Sequence, residues 1–212
     1  MKIAVDIDKT LFDCSSTIYQ LFNFFALYKK KSKKLKYDVL DVSKVTKTGF
    51  AIPFGKMSNY REYREILNAC MVLNNWHKNN HTVILLSIRP NFKAFQRVIV
   101  DLINKFNIDV DFIVVACNNK AEFCKKYGID VLVDDSRENC YNCEQKGVRS
   151  ILFKDAINGE KRERLENQGF RVASNWIEVN LLVNFIRNIK SNYFLPEQII
   201  YDEECLQPIF QG

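Results

Sequence analysis

The stretch Ile3-Ala4-Val5-Asp6-Ile7-Asp8-Lys9-Thr10-Leu11 decides how the chain is read. An apolar run ends in two aspartates one residue apart, and a threonine follows two positions on. A strand sends alternate side chains to opposite faces, so Asp6 and Asp8 start on one side where the chain leaves the sheet. Two carboxylates at the C-terminal end of a strand can hold a hard cation, and one of them can attack a phosphoryl group. Open α/β sheets bind their ligands beyond the carboxyl ends of the strands, which makes this a functional address. Buried acids without partners would be costly, so a metal or a charged ligand is expected beside them.

Four further short apolar runs, over 82–87, 111–116, 131–134 and 149–153, join the first over 2–7. Continuous apolar runs of this length suit strands buried on both faces. Helical patterns lie between the later ones. Phe92, Phe95, Val98, Ile99 and Leu102 repeat at helical spacing over 91–106. A second helix over 120–127 ends at Gly128 and a third over 136–146 is closed by Gly147, both suitable residues just past a helix end. Alternating strands and helices imply right-handed crossovers and a mostly parallel sheet.

Residues 14–79 are too many for a crossover and too apolar for a loop. Helices are expected over 17–28 and 60–79, the latter with Ile66, Leu67, Ala69, Cys70, Val72, Leu73 and Trp76 inward. Gly49, Pro53 and Gly55 break the stretch between them. The expected architecture is α/β: a Rossmann-like parallel sheet flanked by helices. Residues 1–13 and 80–190 form its core, a small helical cap is inserted over 14–79, and 191–212 form a C-terminal tail. Within the core, 161–167 and 176–189 read as helices and 170–173 as a short edge strand.

With 212 residues, 47% of them hydrophobic, the chain can bury one good core and a second small lobe. No apolar run approaches the ~20 residues of a membrane span. The first residues lead straight into a strand rather than a signal core, so a cytoplasmic location is expected. The seven cysteines are then read as reduced thiols. Cys140 and Cys143 form a lone CxxC without the second ligand pair that zinc needs. Of the +6 net charge, six lysines fall within residues 29–36. Such a block is read as a solvated face before a grip on phosphorylated substrate or nucleic acid.

Three more pieces stand at strand ends. Val83-Ile84-Leu85-Leu86-Ser87 ends in a hydroxyl and continues Ile88-Arg89-Pro90, and proline suits the first turn of a helix. The Ser87 hydroxyl and neighbouring backbone N–H groups, including that of Ile88, can hold phosphate oxygens. Lys120 opens a helix, and Val131-Leu132-Val133-Asp134-Asp135-Ser136 ends a strand in acids. Together, and in this order, Asp6-Ile7-Asp8-Lys9-Thr10, Ser87, Lys120 and Asp134-Asp135 resemble the four motifs of the haloacid dehalogenase superfamily. The resemblance covers roughly residues 1–13 and 80–155. It departs from the family pattern at Lys9, where glycine is frequent.

The resemblance implies a Mg²⁺-dependent phosphomonoester hydrolase working through an aspartyl phosphate. In that scheme Asp6 is the nucleophile and Asp8 the general acid and base. The metal is held by Asp6, the backbone carbonyl of Asp8 and Asp134, with Asp135 in support or exchanging roles with Asp134. Ser87, Ile88 and Lys120 bind phosphate, with Thr10 at the phosphate loop or bracing it. Size, the stretch after the first motif, Ser-x-Arg-Pro and the residues around Asp134 resemble the 5′(3′)-deoxyribonucleotidase-type group. A nucleoside monophosphate, or another small phosphorylated metabolite, is the expected substrate, contacted by Phe12, Phe50, Phe54 and Arg89. A larger phosphorylated substrate such as a nucleic-acid end is the alternative, and a non-catalytic binding protein on the same fold the third.

Overall fold

The structure is a computed structural model that describes residues 1–13, 38–41, 63–89, 93–155, 157 and 159–192. Its elements in chain order are β1 (Lys2–Asp6), β2 (Phe12–Asp13), β3 (Asp38–Asp41), β4 (Arg64–Glu65), α1 (Ala69–Lys78), β5 (Thr82–Leu86), α2 (Lys93–Phe106), β6 (Phe112–Val115), α3 (Lys120–Tyr127), β7 (Val131–Asp134), α4 (Arg137–Gln145), β8 (Arg149–Phe153), α5 (Gly159–Glu166), β9 (Val172–Ala173) and α6 (Trp176–Asn192). Seven strands form one sheet in the order β3-β6-β5-β1-β7-β8-β9. All neighbours in it are parallel except β3, which runs antiparallel to β6 at the edge.

The apolar strands build two cores because their side chains alternate between the faces. On one face Ile3, Val5, Val83, Leu85, Val131, Val133, Ile151 and Phe153 meet the buried sides of α1, α2 and α6. On the other, Ala4, Ile84, Leu86, Val114 and Leu132 meet Ala121, Phe123, Cys124 and Cys143 of α3 and α4. The chain therefore covers one face after β1 and β5 and the other after β6 and β7. Strand order reverses direction between β1 and β7, which places Asp6 and Asp134 at a topological switch point, the position where open sheets take ligands.

The α/β architecture expected from the sequence is present, with differences that have local causes. β1 stops at Asp6, because the backbone turns through a bend at Ile7. The carbonyl of Ile7 accepts from the N–H groups of Leu11 and Phe12. Lys9 sits in this turn with φ +61°, a left-handed conformation that glycine would take without strain. The helix expected over 60–79 begins only at Ala69. Arg64 and Glu65 pair instead as β4 with β2, and the N–H of Ile66 donates to Leu11 O. Leu67, expected inward, lies before the helix and is 79% exposed, whereas Ala69, Cys70, Val72, Leu73 and Trp76 are buried as expected. Asp38–Asp41, within the stretch assigned to the cap, adds the antiparallel edge strand to the main sheet. Most of the expected cap, the lysine block, Phe50 and Phe54 lie outside the described residues, as do residues 193–212 of the expected tail. No helix among the described residues is long and apolar enough to cross a membrane.

Trp176 fastens α6 to the loop after β1. It is fully buried, stacks near Trp76 and Phe153 at 5.9 and 6.0 Å between ring centroids, and donates from Nε1 to Thr10 O at 2.9 Å. Replacing it with phenylalanine leaves a buried carbonyl without its donor, which costs about 1–3 kcal/mol. Urea unfolding of Trp176→Phe is expected to show a lower midpoint with an unchanged slope, and an unchanged midpoint would show that the Thr10 carbonyl is satisfied another way.

Candidate active site

The C-terminal ends of β1 and β7 and the start of α3 bring three charged side chains into one buried cluster. The Lys120 ammonium donates to Asp6 Oδ1 and, at 2.6 Å, to Asp134 Oδ2. Lys120 and Asp134 are 3% and 0% exposed, so this is an interior ion triad rather than a surface one. Asp6, Asp134 and Asp135 each offer an oxygen within 4.8 Å of the others. Three carboxylates against one ammonium leave two negative charges, the deficit a divalent cation would cancel, and all the donors are hard oxygens suited to Mg²⁺. The residues present therefore fit such an ion.

Each acid has a different surrounding. Asp134 is heavily bonded: Oδ1 accepts from Ser136 N at 2.8 Å, and Asn139 Nδ2 lies 3.1 Å from both oxygens. Ser136 caps α4 and directs Asn139 back onto the strand end. Asp135 is partly buried, and its backbone carbonyl accepts from Lys154 Nζ at the end of β8. Thr10 Oγ1 lies 3.4 Å from Asp6 Oδ2, so Thr10 is buried as a brace on the Asp6 side chain.

Burial dominates the titration of Asp6. Desolvation, with Asp134 and Asp8 adding to it, outweighs the attraction of Lys120 and pushes its pKa up to about 8. Burial alone would lower the pKa of Lys120, but Asp6 and Asp134 outweigh it and raise that pKa, so the ammonium stays charged. Desolvation and the neighbouring Asp134 also raise Asp135. A cation held among these carboxylates would favour their ionised forms and oppose this rise.

Asp8 does not join the cluster, although strand alternation places it on the same side as Asp6. The bend after β1 turns its carboxylate toward Arg89. Arg89 Nε donates to Asp8 Oδ2 at 2.9 Å, Nη2 donates to Oδ1, and Nη2 also reaches the Tyr63 hydroxyl at 2.8 Å. Arg89, expected at the substrate, is 2% exposed and faces Asp8 and Tyr63. Ser87 is buried at the end of β5, and its hydroxyl accepts from Arg89 N at 3.1 Å. Ile88, whose backbone was expected at the phosphate, carries an exposed side chain between them. Phe12 differs most from expectation. It is 1% exposed and packs edge-on against Tyr63 and beside Phe106, so its ring belongs to the core and has no face for a base.

Tyr63 and Lys154 touch the site without any signal in the sequence, whereas Asn139 has one, since it stands three residues after the N-cap Ser136. A cavity of about 520 Å³ lies away from the carboxylates, lined by Ile129, Val148, Ile186 and by cations such as Lys146 and Arg171, which pair with Glu122 and Glu144.

No protein-family model matches the sequence, and no curated protein is significantly similar to it. Solved structures share the fold. A Thermotoga maritima protein assigned as a beta-phosphoglucomutase aligns over 87% of this chain and 99% of its own, with TM-score 0.52 and 13% identity. The D,D-heptose 1.7-bisphosphate phosphatase from B. bronchiseptica, complexed with magnesium and phosphate, aligns over 86% and 98%, with TM-score 0.50 and 14% identity. A Had-superfamily hydrolase from Ehrlichia chaffeensis aligns over 89% and 97%, with TM-score 0.49 and 14% identity. The chain shares the α/β fold of the first two of these structures. At these identities the likeness is one of fold, and activity rests on the site itself.

The raised Asp6 pKa has a measurable sign. Between the unfolded value near 3.8 and the folded value of about 8, the folded chain binds more protons than the unfolded one, so stability falls as pH rises through that window. In EDTA, the thermal midpoint of the wild type is expected to decline from pH 5 to pH 8, and that of Asp6→Asn to decline less. Equal slopes for both proteins would place the proton elsewhere.

Proposed function

We propose that the chain is a Mg²⁺-dependent phosphomonoester hydrolase of the haloacid dehalogenase type. The observation that carries it is the end of β1: a buried Asp6 carboxylate bonded to Lys120, with Asp134 and Asp135 close enough to share a cation. Asp6, Asp134 and Asp135, with the Asp8 carbonyl, would hold the ion. When bound, Mg²⁺ supplies positive charge against the phosphoryl oxygens and the site's excess carboxylates.

The chain's own groups account for the steps. An Asp6 oxygen attacks phosphorus as the bond to the leaving oxygen breaks, giving an aspartyl phosphate. Asp8 delivers its proton to the leaving oxygen, then takes one from the water that attacks the intermediate and releases phosphate. Lys120 neutralises charge on Asp6 and the phosphoryl group as it builds. Ser87 and the backbone N–H groups after it would bind the phosphate. Asp134 is already saturated with donors, which makes Asp135 the more available direct metal ligand and Asp134 the residue that fixes Lys120.

A nucleoside monophosphate is the proposed substrate. The support is the sequence around Ser87-Ile88-Arg89-Pro90 and Asp134-Asp135-Ser136, which resembles the deoxyribonucleotidase-type group, with Phe50 and Phe54 as proposed base contacts. A cytoplasmic, reducing setting fits the free thiols of Cys70, Cys117, Cys124, Cys140 and Cys143.

Phosphate release from nucleoside 5′- and 3′-monophosphates, sugar phosphates and p-nitrophenyl phosphate, with Mg²⁺ or EDTA, tests the reading. Mg²⁺-dependent turnover is expected, lowered by more than about a thousandfold in Asp6→Asn. Unchanged turnover in that variant would remove Asp6 as nucleophile. Turnover of sugar phosphates alone would keep the chemistry and discard the nucleotide.

A further inference from the structure

Arg89 is held through its main chain and through the Nε–Nη2 edge of its guanidinium. Its backbone N–H donates to Ser87 Oγ at 3.1 Å, and its carbonyl accepts from Ala116 N at 2.7 Å. Its Nη2 is shared between Asp8 and Tyr63 Oη, and its Cζ lies 5.3 Å from the Tyr63 ring centroid. Tyr63 is 2% exposed and meets Phe12 edge-on at 6.3 Å, and Phe12 forms a bridge with Asp8. Arg89 thus holds the Asp8 carboxylate, Tyr63 holds Arg89, and Phe12 packs on Tyr63. The fork geometry of a guanidinium fixes the plane of the carboxylate it binds, which an ammonium does not.

We propose that Arg89, braced by Tyr63, is a positioning residue that sets the orientation in which Asp8 hands its proton to the leaving oxygen. The proposal rests on Asp8 as proton donor. A carboxylate offers about four lone-pair directions, and the paired fork uses one on each oxygen, leaving the outward directions for the transferred proton. The proton moves from an Asp8 oxygen to the leaving oxygen as the P–O bond breaks and the Asp6–phosphorus bond forms. Arg89 itself touches no reacting atom, and its burial separates it from a substrate-binding arginine. A donor held at one angle matters most where the leaving oxygen cannot depart as an anion. The clamp therefore governs alkyl esters, nucleoside monophosphates among them, more than activated aryl esters.

The experiment compares an alkyl phosphate with p-nitrophenyl phosphate in the full-length Mg²⁺-loaded wild type, Arg89→Met, Arg89→Lys, Tyr63→Phe and Asp8→Asn. Thermal melts confirm that each is folded. Arg89→Met is expected to lower kcat on the alkyl ester by about a hundredfold, the lower end of what a general acid contributes, and by at least tenfold less on the aryl ester. KM should change little. Arg89→Lys should recover part of the loss, and Tyr63→Phe, which keeps the ring, should show a smaller loss of the same selectivity. Equal losses on both esters, or a rise in KM on both, overturn the proposal in favour of a structural or a phosphate-binding arginine. If Asp8→Asn is selective but neither Arg89→Met nor Tyr63→Phe is, only the clamp fails. If Asp8→Asn shows no leaving-group selectivity, Asp8 is not the donor, and both readings fall.

Discussion

One buried ammonium organises the end of the sheet where β1 and β7 finish. Lys120 reaches from the start of α3 to the ends of β1 and β7, and so joins two strands and a helix that are distant in sequence. Taking three ionised groups out of water is expensive, and their attraction offsets that only with good geometry. The sheet supplies it. Neighbouring parallel strands hold their ends a fixed distance apart, so Asp6 and Asp134 present oxygens to a single nitrogen. Lys120 needs both, and neither acid tolerates burial without it.

The same constraint explains the differing dress of the four acids. Asp134 is sealed by donors from its own turn and from α4, which hold it in place whatever lies in the cleft. Asp6 keeps an oxygen beside Thr10 and remains poised between protonated and ionised. Asp135 is partly buried beside them, with its backbone tied to Lys154. Asp8 leaves the group altogether for Arg89. Two carboxylates two residues apart thereby take different cationic partners, one an ammonium and the other a guanidinium, although the charge of Asp8 is still felt at Asp6. Such separation is how like groups take on unlike tasks.

The sequence carried the framework well. Five apolar runs, each bounded by acids, hydroxyls or glycine, correspond to the central strands, and Gly128 and Gly147 end the helices they were expected to end. The elements hidden from sequence are those whose signal is not apolar. Asp38–Asp41 carries acids at both ends and lies at an edge, where burial imposes no pattern. Arg64 and Glu65 form a strand only because Phe12 and Asp13 are brought opposite. The site was legible as a set of residue types at strand ends. Side-chain direction was not, because it depends on where the strand stops. A single bend at Ile7 undoes the alternation that would have kept Asp8 beside Asp6. Phe12 and Tyr63 illustrate the same point: an aromatic residue near a site reads the same whether it faces the cleft or the core.

The bond from Trp176 to Thr10 ties one of the last described helices to one of the first loops, and β1 lies between two strands that come much later in the chain. During synthesis Asp6 therefore emerges well before the groups that complete its cluster. Its strand has no neighbour until β5 leaves the ribosome, its ammonium is missing until α3 follows, and its loop is unlatched until Trp176 appears. Domains acquire structure as the chain is delivered, and here the cluster around Asp6 is completed by residues made long after it. A nascent chain cannot acquire the complete site early, and a fragment ending before α6 carries every charged group of the cluster without the fastening that holds the Thr10 loop.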